Sequence, residues 1–297
     1  HHQQKSPASI VYLPHPLSRH DYIELIHATD VGLLFYDSRV YFSRRAGVLG
    51  ELLSCGKPVV VPAGCWLAEQ IQEPIFEHVD ALAHEHGNRH LGLNDFRWHH
   101  SNVPMSGGIL AFDDHKHPFS FEVEREACES AVAMRFDWHW PTSKGIYCRI
   151  ELTQFGEGED LLETSHQVIG HRKLGQSTAL FNLHPRSKRL QFSLKNALHH
   201  STATIRNASL TMLARPSKNS LDSVSNDSLV KGFPVGAVGA IAADSSQVAA
   251  CVIEIVDHLR HYRQSARSFS HDWSAVHQPT ETIARLTQAD GLLRKAG

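Results

Sequence analysis

Residues 31–71, VGLLFYDSRVYFSRRAGVLGELLSCGKPVVVPAGCWLAEQI, decide how this chain folds. An apolar run ends at Tyr36-Asp37 and reads as a strand. A loop with Tyr41, Arg44 and Arg45 follows, and Ala46-Gly47 opens a helix that carries Glu51 one turn in. The helix is expected to stop at Gly56, and Lys57-Pro58 then leads into a second buried strand at Val59, Val60 and Val61. A strand, a basic Gly-containing turn and a helix N-terminus make an anion site, because unpaired backbone N–H groups and the helix dipole favour negative charge there. The same residues also fit an ordinary strand–helix–strand unit of another α/β protein. Gly47 would then serve close packing, and Gly56 would be a C-cap.

In order and spacing, Ala46-Gly47, Glu51, Cys55-Gly56-Lys57-Pro58 and the valine run resemble the nucleotide-sugar-binding lobe of GT-B glycosyltransferases. The resemblance implies a Rossmann-like α/β lobe, here incomplete. In it the backbone at Gly47 and Val48 cradles a donor diphosphate and Glu51 holds the donor ribose. Arg44 or Arg45 would add charge, and the loop of Pro14, His15, Pro16 and Leu17 would wall the base. Many members of that class carry two glutamates separated by seven residues, and Ser43 stands at the first of those positions.

Working outward, residues 10–13 read as a short strand, 21–28 as a helix and 31–36 as the next strand. The α/β rhythm stops near Gln72. Residues 73–118 are rich in His, Gly and Asn and read as a connector with one short helix near 74–86. From Phe119 the pattern alternates, with Phe119, Phe121 and Val123 on one face. Segments 131–140, 145–153, 166–169, 179–183, 190–194 and 209–213 read likewise, separated by turn signals. Many short strands at this spacing imply an antiparallel β-sandwich. Residues 216–228 read as a flexible linker.

The helical period then returns. Residues 235–243 read as an apolar strand, and Asp244 or Ser245 caps a helix running to about Phe269. A tryptophan-bearing turn at 268–273 and a helix near 281–286 complete a tail that resembles the close of the same GT-B lobe. The expected organisation is therefore an insertion. Residues 1–73 and 232–297 form one α/β lobe, and 74–231 hold the connector and the inserted sandwich.

At 297 residues the chain can bury a sizeable core. Lys+Arg 29 against Asp+Glu 31 leaves a formal charge of -2, so no global field recruits nucleic acid. Five widely spaced cysteines without a C-x-x-C pair fit reduced thiols and a cytoplasmic location. No apolar run has the length of a membrane span. The chain starts at His1, and the reading expects it to begin partway through a longer product, without the acceptor lobe.

Other chemistry is weaker. Asp113-Asp114-His115-Lys116-His117 could hold a metal in H-x-H spacing, but Lys116 and Pro118 favour a solvated loop, and no metal or cofactor is assigned. Trp138, Trp140 and Tyr147 could stack on sugar rings. Trp138 and Trp140 also share a strand face with Phe136, which favours a core role. The expectation is a glycosyltransferase that uses a nucleotide-sugar donor and a glycan acceptor, its isolated chain inactive. The alternative is a non-catalytic carbohydrate-binding or scaffold protein with a decayed transferase lobe.

Overall fold

The computed structural model describes residues 11–13, 16–37, 46–92, 97–98, 109–112, 119–124, 131–139, 147–170, 175–196, 203–214 and 232–276. Arg44, Arg45, Pro14, His15, the 113–117 cluster, Trp140 and the helix expected at 281–286 lie outside them.

A small parallel sheet is built from both ends of the chain. Strand β1 (Gly32–Leu33) and β13 (Gly239–Ala242) flank β2 (Val59–Pro62), with Gly32 and Gly239 both in register with Val59. Val59, Val60 and Val61 lose essentially all solvent contact. That is what a central parallel strand with both faces covered requires, and each buried valine contributes roughly 1.5–3 kcal/mol. Helix α2 (Gly47–Ser54) buries Leu49, Leu52 and Leu53, the i, i+3, i+4 stripe of an amphipathic helix. Helix α1 (Arg19–Ala28) starts at Ser18, whose hydroxyl accepts from the Asp21 amide at 3.1 Å.

Several sequence expectations change here. Residues 11–13 are exposed and form no strand. The expected strand at 235–243 contracts to β13. The single long helix is instead two, α4 (Val248–Asp257) and α5 (Leu259–Val276), broken at His258. The expected tryptophan turn lies within α5. The incomplete Rossmann-like lobe of GT-B type expected from the sequence is not supported: the described parallel layer has three short strands, and most of the described strands are antiparallel.

The β-sandwich is present. One sheet orders β10 (Gln176–Asn182), β7 (Ala131–His139), β12 (Ala203–Ala214) and β3 (Gly87–Leu91), with β5 (Ile109–Phe112) also on β12. The other orders β4 (Arg97–Trp98), β6 (Phe119–Glu124), β11 (Arg189–Asn196), β8 (Cys148–Phe155) and β9 (Leu161–Ile169). All pairings in these two sheets are antiparallel. The core between them holds Phe136, Trp138, Phe181 and Phe192, with Phe136 and Trp138 stacked at 5.1 Å.

Helix α3 (Trp66–His86) ties the two bodies together. It runs unbroken through Pro74, so the connector expected from residue 73 begins inside a helix. Leu67, Ile71 and Ile75 join the core of the parallel layer, whereas Phe76 joins the sandwich core. Gln72 Oε1 accepts the Gly170 amide at 3.1 Å, a buried bond between helix and sandwich. No described helix is long and apolar enough to cross a membrane.

Candidate functional site

The sequence signal at Gly47 and Glu51 falls on a groove between α1 and α2, about 680 Å³ in volume. Gly47 and Gly50 lie one turn apart on α2, and a Cβ built on either meets nothing within 4 Å. Their missing side chains are what leaves the space open. Ile23 and Ile26 of α1 face them, and Trp66 and Trp273 supply two indoles. Trp273 is nearly buried and packs against Phe269 at 5.8 Å.

Glu51 projects into this groove as an exposed carboxylate. Its Oε2 accepts a hydrogen bond from the Tyr22 hydroxyl, 29 residues earlier. Burial, and then the hydrogen bond and charge of Glu51, push the Tyr22 phenol up to about 12. The phenol therefore stays a donor at neutral pH. Lys57 Nζ donates to the His27 carbonyl at 2.7 Å and closes the far end of α1 onto the loop after α2. Arg19 and His27 stand at the rim.

Of the expected binding residues, the groove brings together Gly47 and Glu51. Val48 is half-buried and packs inward against the parallel layer, with its side chain turned to the core. Pro16 and Leu17 precede α1 and do not line the groove. Helix α2 has no side-chain cap at Ala46. The sequence assigns no binding role to Tyr22, Gly50 or Trp66, and it marks Trp273 only as part of the closing turn. Only Gly50 left a local sign, three residues after Gly47.

Among the described residues, the sandwich aromatics expected to stack on sugar rings are instead part of the core. Trp138 is fully buried and Tyr147 nearly so. Among the described residues no group of three or more His, Cys, Asp or Glu could hold a metal.

No family model matches the chain, and no curated relative does. Solved structures match part of it. The CBM86 xylan-binding module from Roseburia intestinalis is 12% identical over 43% of this chain and 95% of that one, at a TM-score of 0.27. The CBM22-1 xylan-binding domain from Paenibacillus barcinonensis is 6% identical over 44% and 92%, also at 0.27. A CBM6 module from Clostridium stercorarium, solved with cellobiose, is 10% identical over 43% and 88%, at 0.24.

The neighbours are mostly carbohydrate-binding modules, and no GT-B glycosyltransferase is seen among them. The expectations of GT-B membership, of glycosyltransferase activity and of an enzyme are corrected accordingly. A nucleotide-sugar donor is likewise not supported.

Proposed function

We propose that this chain is a non-catalytic carbohydrate-binding protein whose sugar sits in the groove between α1 and α2. The observation that carries this reading is the exposed Glu51 carboxylate, held by Tyr22, in a groove that also contains two indoles. A sugar ring presents hydroxyl groups on its edge and C–H groups on its faces. The carboxylate accepts from the hydroxyls, at roughly 1.5–3 kcal/mol for each charge-assisted bond, and the half-buried Trp66 indole, backed by the buried Trp273, covers the apolar face. The volume lies within the range of small-molecule pockets. The sandwich, within 74–231, is proposed as an insertion between the two halves of the α/β layer, 1–73 and 232–297.

Calorimetry and saturation-transfer NMR with xylohexaose, cellotetraose and the free monosaccharides test this. The wild-type chain is expected to bind at least one neutral sugar. Gly50→Leu should abolish that binding without lowering the melting temperature, because the added side chain fills the groove and a helix-interior glycine is replaced. Glu51→Gln should weaken binding about tenfold, the equivalent of roughly 1.4 kcal/mol. Sugar binding that survives Gly50→Leu would move the site elsewhere. No binding by any neutral sugar at about 10 mM, an affinity below roughly 3 kcal/mol, would sink the reading.

A further inference from the structure

A second cavity, of about 620 Å³, lies where the sandwich meets α4. Seven consecutive residues, Glu163–Ile169, line it. Neighbours along a strand point to opposite faces, so a cavity touched by all of them runs along the strand's edge rather than over one face. Strand β9 is the last strand of its sheet and pairs only with β8. Among the described residues, the backbone of Leu161–Ile169 makes no hydrogen bond outside that ladder. The edge carries no proline and no lysine, two devices that usually blunt such edges.

The opposite wall is α4, which offers Ile253, 61% exposed, together with Glu254 and Asp257. Leu180 and Phe181 lie buried behind the cleft, where Gln167 Nε2 donates to the Leu180 carbonyl, and the exposed Ala250 of α4 adds to its apolar wall. The acids at this cavity are Glu163, Glu254 and Asp257, and the imidazoles are His166, His184 and His258. No Lys or Arg lines it. Arg149 sits behind β9, within 3.9 Å of both Glu151 and Asp244. Glu254 is held on one side, where its Oε1 accepts from the Val235 amide and from the Tyr262 hydroxyl, each at 3.0 Å. Glu163 is exposed at the open end.

We propose that the cleft between the free edge of β9 and helix α4 docks an extended peptide segment that alternates apolar and basic residues and adds to β9 as a sixth strand. Main-chain hydrogen bonds to the unpaired edge supply the affinity, and alternate side chains supply the selectivity. Apolar residues of the peptide face Ile253 and Ala250 of α4. Its Lys or Arg residues meet the carboxylates, above all Glu163.

The test uses the full chain and a fluorescein-labelled nine-residue peptide of alternating valine and lysine, followed by anisotropy at low salt. Saturable binding is expected, with hydrogen exchange slowed at the amides of residues 161–166. A valine–glutamate peptide should bind at least about tenfold more weakly. So should the valine–lysine peptide N-methylated on alternate residues, which cannot complete a strand ladder. Glu163→Lys and Ile253→Lys both alter exposed side chains and should each weaken binding about fivefold without disturbing the fold. Three outcomes overturn the proposal: equal binding of the N-methylated and parent peptides, protection that appears outside β9, or no saturation below about 1 mM.

Discussion

Thr178 on β10 is 1% exposed, and its hydroxyl has no hydrogen-bond partner among the described residues. An unpaired buried polar group costs roughly 1–3 kcal/mol, and an apolar isostere removes that cost. Thr178→Val is therefore expected to raise the melting temperature by a few degrees, and scanning calorimetry checks it. A fall would mean that the hydroxyl is satisfied by ordered water. Single residues were legible in the sequence to different degrees. Glu51 and Gly47 stood out because a strand–turn–helix pattern surrounds them. Tyr22 did not, since its bond to Glu51 spans 29 residues and no local period predicts it. Trp138 was read with two roles open, and its full burial settles on the core.

Elements built on alternation were the most legible. Strands β8 and β11 bury every second described residue, and β7 does so apart from the adjacent Ala133 and Met134, so their positions follow the apolar pattern closely. Strand β3 was missed because Gly87, Asn88, Arg89 and His90 are all exposed and only Leu91 is buried. The break between α4 and α5 was missed because the apolar stripe continues across it. At that break, three consecutive residues of the returning chain are pinned. His78 of α3 donates to the Pro234 carbonyl at 2.8 Å, Glu254 accepts from Val235, and His261 of α5 donates to the Gly236 carbonyl at 3.0 Å. The two imidazoles lie 4.6 Å apart. Burial holds His78 below its ordinary value and takes His261 down to about 4. Both are neutral in the folded chain, whereas in the unfolded chain they take up protons near pH 6.5. Stability from this clamp is thus full above about pH 6.5 and declines as the pH falls toward 4. His166, also held low by burial, acts in the same direction. The melting temperature should drop between pH 7 and pH 5. The double variant His78→Gln, His261→Gln keeps two N–H donors and should show a flatter profile over that interval. An unchanged slope would remove the clamp as its cause.

At the scale of the whole molecule, the two bodies share α3, and this bears on how the chain unfolds. The helix supplies Leu67, Ile71 and Ile75 to the parallel layer and Phe76 to the sandwich. The parallel sheet itself needs β13, which follows the sandwich in sequence. Periodicity revealed the switch from helices to strands and back, so the presence of a β-sandwich could be read. The continuity of α3 through Pro74 could not, because an interior proline signals a helix break and only packing on both sides overrides it. A helix that belongs to two cores should transmit a defect from one to the other. Phe76 is fully buried, and Phe76→Ala removes a large side chain from the sandwich core at a cost of about 3–5 kcal/mol. If the chain behaves as one cooperative unit, this loss appears as a single transition at lower temperature. Native-state hydrogen exchange in the variant should then speed up together at Val59, Val60 and Val61, at Gly239–Ala242 and at the sandwich strands. Two separated transitions, with the amides of β2 and β13 keeping wild-type protection, would show instead that the parallel layer stands without the sandwich and that α3 merely bridges two independent folds.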